Sequence, residues 1–220
     1  MFLGARSEYT QSKWVAEQLV TIARDRNIPV TIHRPGRISG HSKTGVCNPN
    51  DHTFRMIRGC IQLGSVSLND SLVNLIPVDY AVEAIVHLAS QAESIGKTFH
   101  LFNPQPTPWN EVAKLINSLG YPIKQVTYEE WREALLSATE KSSDNPLSPL
   151  ISTFAESNKP NKDTEENISR KLEANNTKSG LAETSIICPP CDRQLLSTYF
   201  SYLIDRGLLP KPLNENSKLS

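Results

Sequence analysis

The stretch Glu8-Tyr-Thr-Gln-Ser-Lys-Trp-Val-Ala-Glu-Gln-Leu-Val-Thr-Ile-Ala-Arg-Asp-Arg-Asn-Ile-Pro-Val-Thr-Ile-His-Arg-Pro-Gly-Arg-Ile-Ser-Gly40 decides how this chain is read. Its first part predicts a helix over Glu8–Arg26. Val15, Leu19, Ile22 and Ala23 recur at i, i+4, i+7 and i+8, the period of one helical face, and that face is expected to be buried. Asn27-Ile28-Pro29 ends the helix, because proline disfavours helical backbone at the residue before it. Pro29-Val-Thr-Ile-His33 is short and β-branched, and reads as a buried strand. A helix, a tight connection and a strand make half of an α/β unit. Arg34-Pro-Gly-Arg-Ile-Ser-Gly40 follows as a loop at the carboxyl end of that strand, where open α/β sheets bind ligands.

Within the helix, Tyr9 and Lys13 are four residues apart and share a face. They lie to one side of the apolar stripe and can edge a cleft. A lysine ammonium beside a phenol favours the phenolate and lowers the phenol from its reference value of about 10. Such a pair offers a proton donor or oxyanion stabiliser usable near neutral pH.

Downstream, His41–Asp51 reads as a polar loop and Thr53–Leu63 as a helix. Val73–Asp79 reads as a short strand that runs into Asp79 as an N-cap, with a helix over Tyr80–Ala92. Lys97–Phe102 alternates as a strand. Helices are expected at Trp109–Leu119, with Asn110 as its cap and Gly120 as its stop, at Glu129–Ala138, and from Leu195 towards Leu209 with Gly207 as its stop. Between them, Glu156–Thr184 is rich in Glu, Lys, Asn, Ser and Thr and reads as a flexible insertion or a solvated, weakly helical segment.

Composition removes several function classes. The 220 residues carry 23 Lys+Arg and 23 Asp+Glu, a formal charge of zero, which disfavours a nonspecific binder of nucleic acid or of membrane surfaces. No apolar run approaches the ~20 residues of a membrane span, and the amino terminus lacks the apolar stretch of a signal peptide. Four cysteines do not make a disulfide framework. A cytoplasmic protein is the expectation.

Taken together, YTQSKWVAEQLV, IPVTIHRPGRISGHSKTGVCNPND, LIPVDYAVEAIVHLAS, FHLFNPQPTPWNEV and GYPIKQVTYEEWREAL stand in a telling order. They resemble the extended short-chain dehydrogenase/reductases, and more narrowly the thioester reductase domains that end nonribosomal peptide and polyketide assembly lines. The resemblance runs from Tyr9 to about Phe154, and more faintly through Cys191 and Tyr199–Pro212. It implies an α/β fold: the carboxyl half of a Rossmann-like parallel sheet over 1–103, and a small, mainly helical substrate domain over 104–212. The insertion would span about 156–184, and 213–220 would form a loose tail. Tyr9 would be the catalytic tyrosine and Lys13 its partner. Pro35, Gly36, Arg37 and Ile38 would lie against the nicotinamide end of NADPH. The substrate would be an acyl group on the phosphopantetheine arm of an acyl or peptidyl carrier protein, and the product an aldehyde or an alcohol.

The sequence also departs from that pattern. It holds neither G-x-x-G-x-x-G nor G-x-G-x-x-G, so the pyrophosphate- and adenosine-binding half is not among these residues; the expectation is either that the chain is one piece of a full reductase or that a separately encoded amino-terminal half supplies that site. The family's Ser/Thr before the tyrosine is absent too. Ser7 and Thr10 are near Tyr9 but do not occupy its position. Two other readings stay open: an extended short-chain enzyme of other substrates, and a non-catalytic remnant, inactive without the missing half.

Other residues read as structural. Cys188-Pro-Pro-Cys191 has metal or redox spacing but no nearby His to complete a ligand set, so no metal site is assigned. Cys47 and Cys60 read as small hydrophobes, Asp79 as a cap, His33 as a packed histidine, and His41 and His52 as loop residues. Trp14, Trp109 and Trp131 read as packing residues. Residues 104–220 carry 13 Lys+Arg against 15 Asp+Glu, which argues against this part as the dock for an acidic carrier protein.

Overall fold

A computed structural model describes residues 8–69, 71–141, 144–155 and 174–213. Helix α1 (Glu8–Asp25) leads through a turn with Asn27 at φ 61° into β1 (Ile32–Pro35) and then β2 (Arg37–Ile38). After a long loop come α2 (His52–Leu63), β3 (Ser65–Ser67), β4 (Leu72–Val73), β5 (Leu75–Ile76) and α3 (Val78–Ala89). Then follow β6 (Thr98–Leu101), β7 (Thr107–Pro108), α4 (Trp109–Ser118), β8 (Lys124–Val126) and α5 (Tyr128–Lys141). Helices α6 (Ile151–Ala155), α7 (Asn175–Leu181) and α8 (Arg193–Asp205) complete the described chain.

The pairings are those of an α/β fold. β1 runs parallel to β6 with Ile32 opposite Thr98 and Pro35 opposite Leu101. β2 is parallel to β5, and β3 to β8, while β4 and β7 are antiparallel. Ile32 N donates to Lys97 O (3.1 Å) and Gly36 N to Leu101 O (2.9 Å), so the carbonyls of Thr98 and His100 point to the far edge of β6. Helix α7 covers that edge: Asn176 Nδ2 donates to Thr98 O at 2.9 Å and Thr177 Oγ1 to His100 O at 2.8 Å. An edge whose acceptors are capped this way is closed to further strands. Among the described residues, no strand pairs with β1 opposite β6.

Two apolar clusters form. One gathers Phe54 from α2, Trp109 and Ile116 from α4, Trp131 from α5, and Tyr199 and Phe200 from α8. Edge-on ring pairs Phe54–Tyr199 and Tyr121–Phe200, with centroids 5.4 Å apart in each, add direction to that packing. The other lies between α3 and β6, with Ile76, Leu88, Phe99 and Leu101 fully buried. Each such side chain contributes roughly 1.5–3 kcal/mol over an exposed one.

Local chemistry sets the helix ends. Asp51 accepts from Thr53 N at 2.9 Å and caps α2, and Asp192 accepts from Leu195 N at 2.9 Å and caps α8. Gly64, Gly120 and Gly207 follow α2, α4 and α8 with φ between 67° and 88°. Two expected caps do not form. α3 begins one residue before Asp79, with Pro77 at the cap position. α4 begins before Asn110, with Pro108 there, and Asn110 Oδ1 instead accepts from Asn69 N at 3.3 Å. In both, the proline's set φ starts the helix without a side-chain cap.

The expected strand 29–33 sits further along, at 32–35, and is half-buried to exposed rather than buried. The expected burial of the α1 stripe is also overturned: Val15, Leu19 and Ile22 are exposed, Leu19 at 62%. Trp14, expected to pack, is 59% exposed. Among the described residues, the sheet meets α1 through its polar Glu17 and nothing covers the apolar face. Of the expected insertion, 156–173 lies outside the described residues, and 175–181 is the helix α7.

Candidate functional site

Tyr9 lies in the first turn of α1, and its side chain is outside the described residues; Lys13, one turn on, is exposed. Helix α1 meets the sheet at Glu17. Arg34 on β1 donates its Nε to Glu17 Oε2 at 3.0 Å and its Nη2 to Glu17 Oε1, a two-pronged contact that fixes direction as well as distance. Arg34 Nη1 also donates to His100 Nε2 at 2.9 Å, and His100 stacks on Phe102. Burial and then the Arg34 cation hold His100 below its ordinary pKa, with Glu17 pulling the other way.

Pro35, Gly36, Arg37 and Ile38 follow directly at the carboxyl end of β1. Gly36 is held close: a Cβ there would stand 2.9 Å from Phe102 Cδ1. Arg37 pairs with Leu75 and donates its Nη1 to Thr53 Oγ1 at 3.3 Å. Ile38, paired with Ile76, leaves its side chain partly exposed. These four residues form one run from β1 into β2, which pairs with β5.

The loop beyond them is strapped from two sides. Ser39 N donates to Ile76 O at 2.7 Å. Gly40 O accepts from Val78 N at 3.2 Å and from the Tyr199 hydroxyl at 3.0 Å. A phenol has one proton, so the Ser39 hydroxyl is the donor in its 2.8 Å contact with the Tyr199 oxygen. Burial pushes the Tyr199 phenol well above its ordinary range. It is a structural hydroxyl, not an acid for catalysis.

Asp79 completes the strap. Its carboxylate accepts from Ser42 N at 2.9 Å and from Ser42 Oγ at 2.5 Å, with His41 Nδ1 at 3.8 Å. Burial alone would raise this carboxyl. The Ser42 hydroxyl and amide, the peptide N–H of Asp79 itself and His41 outweigh it, and the group lies below the usual range.

The remaining residues singled out from sequence fall elsewhere. His33 stacks on Phe99 and shares a 3.0 Å hydrogen bond with Thr31, and burial lowers its pKa. Cys188 joins the α3–β6 cluster and Cys191 the helical one. Burial pushes both thiols up to about 12, so neither is a nucleophile at neutral pH. Among the described residues, no group of three His, Cys, Asp or Glu could hold a metal ion. No helix among them is long and apolar enough to cross a membrane. Trp109 and Trp131 are core residues, as expected.

Sequence reading missed Glu17, Ser39, Ser42 and Tyr199. Glu17 had a signal, since it continues the four-residue spacing of Tyr9 and Lys13. Tyr199 had none, because it meets Ser39 across 160 positions.

An arrangement of this kind has known counterparts. Residues 3–85 match the NAD_binding_4 family, described as Male sterility protein. Over 205 residues the chain is 35% identical to a linear gramicidin synthase polypeptide of Brevibacillus parabrevis, covering 92% of this chain and 4% of that one. It is 31% identical over 220 residues to the L-2-aminoadipate reductase large subunit of Eremothecium gossypii, covering 96% of this chain and 15% of that one. The terminal R domain of the myxalamid PKS–NRPS pathway superimposes with a TM-score of 0.82 at 40% identity, covering 93% of this chain and 51% of that one. The fold is that of the extended short-chain dehydrogenase/reductases. Within them, the chain belongs with the terminal reductase domains of nonribosomal peptide synthetases, and it spans about half of the solved domain's length.

Proposed function

We propose that this chain forms the carbonyl-facing part of an NADPH-dependent reductase. Its substrate would be an acyl thioester on the phosphopantetheine arm of an acyl or peptidyl carrier protein. The observation that carries the reading is the likeness to a terminal R domain at 40% identity over 93% of the chain.

In this reading the Tyr9 hydroxyl donates a hydrogen bond to the thioester carbonyl oxygen as negative charge grows there. The Lys13 ammonium would favour the phenolate and hold the ribose hydroxyls of the cofactor, and Pro35–Ile38 would flank its nicotinamide. When bound, the cofactor supplies the hydride. The carbon–sulfur bond then breaks, the carrier's thiol leaves with a proton, and an aldehyde is released; a second reduction gives the alcohol.

We assign these residues to the nicotinamide end of the cofactor and not to its pyrophosphate end. Gly36, lacking a Cβ, lets the backbone lie close against Phe102 at the carboxyl end of β1. None of the ten glycines belongs to a G-x-x-G-x-x-G or G-x-G-x-x-G turn, so nothing here cradles a pyrophosphate. The pyrophosphate end of the cofactor is therefore not assigned to these 220 residues.

The test is NADPH oxidation by the native protein with an acyl-pantetheine thioester. Tyr9→Phe is expected to lower the rate by about 100-fold or more while NADPH affinity stays unchanged. Full turnover by that variant, or no thioester-dependent oxidation by the parent, sinks the assignment.

A further inference from the structure

Tyr9, Lys13 and Glu17 follow one another at four-residue spacing, so they share one stripe of α1. Glu17, the last of the three, is the residue gripped by both prongs of Arg34. Levels along the two elements match at this contact. Eight residues of helix, at about 1.5 Å each, separate Glu17 from the end of α1, and four residues of chain leading into and along β1, at about 3.3 Å each when extended, separate Val30 from Arg34. Both spans come to about 12–13 Å, as they must if helix and strand run antiparallel from a short connection. Continuing one helical turn past Glu17 brings position 13 level with about Gly36, and a second turn brings position 9 level with about Ile38.

The apolar stripe does not set the rotation of this helix, since Trp14, Val15, Leu19 and Ile22 are all exposed. An exposed ion pair adds little to stability. A two-pronged guanidinium–carboxylate contact nonetheless has one geometry, and Arg34 is further held from behind by His100. We propose that Glu17 and Arg34 are positioning residues, whose contact sets the rotation of α1 and so aims the Tyr9/Lys13 stripe at Gly36–Ile38. The proposal rests on the catalytic reading of Tyr9 and Lys13 for its purpose, but not for its geometry.

The experiment compares four forms of the whole protein: wild type, Glu17→Gln, Arg34→Lys, and the exchanged pair Glu17→Arg with Arg34→Glu. The first readout is nuclear Overhauser contact between the Lys13 side chain and the amides of Gly36–Ile38, alongside amide exchange over residues 14–22. Wild type is expected to show the contact. Each single variant should lose it and exchange about tenfold faster or more, and the exchanged pair should regain both. The second readout is thioester reduction, where each single variant should lower kcat about tenfold or more with KM for NADPH within about twofold, as expected for misplacement rather than lost binding. Single variants that keep the contact, or that lose it without lowering kcat in a protein that turns over, overturn the proposal. Should the parent reduce no thioester, the functional reading fails, and the contact and its rescue still decide whether this pair aims the helix.

Discussion

Helices α1 and α8 are both amphipathic, both legible from their spacing, and opposite in what they do for the fold. Not one described side chain of α1 is buried, while α8 buries Leu195, Leu196, Tyr199, Phe200 and Leu203. The helix that bears the recognisable motif is attached by a carboxylate and a turn. The helix from the stretch with the faintest resemblance closes the core and reaches across to strap the loop beyond Ile38. An apolar period reports that a helix has a face to cover; it does not say that these residues cover it. In the proposed reading, catalytic and supporting roles are separate: α1 would present the reacting groups, while α8 holds the loop beyond Ile38 through Tyr199.

The largest effect should fall on the α8 side. Trp131→Ala removes a side chain that is 1% exposed and packs edge-on against Phe154, and should cost about 3–5 kcal/mol in urea unfolding. A loss below about 1 kcal/mol would mean that this cluster is far looser than its burial indicates. Tyr199→Phe comes next. It keeps the ring and deletes the hydroxyl that serves Ser39 and Gly40, for an expected loss of about 1–3 kcal/mol and faster amide exchange at Ser39–Ser42.

Asp79→Asn sharpens the comparison through pH. The Asp79 carboxyl lies below its ordinary value when folded, so its contribution is present above the unfolded value of about 3.9 and is lost as pH falls through the folded one. The stability difference between wild type and variant, read from urea midpoints between pH 6 and pH 2.5, should therefore be largest near neutrality and shrink on acidification. A difference constant across that range would mean that Ser42 bonds the two side chains equally. The smallest effect belongs to α1. Leu19→Gln with Ile22→Gln should change stability by no more than about 0.5 kcal/mol for each site. A loss above about 2 kcal/mol would show that the face is covered in the folded protein and would erase the contrast drawn between the two helices.

Much of this was readable from the residues alone. The α/β class followed from a helix, a proline-bounded strand and a loop in order. Two helix ends followed from local signals that act within a few residues, Gly120 and Gly207. Pro35–Ile38 could be placed at the carboxyl end of a strand from the order of the segments. Three things needed the tertiary structure. Asp79 and Asn110 have the chemistry of caps, but a preceding proline starts each helix and frees the side chain for a partner elsewhere. Tyr199 reaches Ser39 across 160 positions, and no local pattern encodes a contact of that range. The exposure of the α1 stripe depends on which surfaces arrive opposite it. Periodicity and capping are properties of a short segment, so the sequence determines them by itself. Burial and partnership are properties of two segments brought together, so only the folded chain decides them.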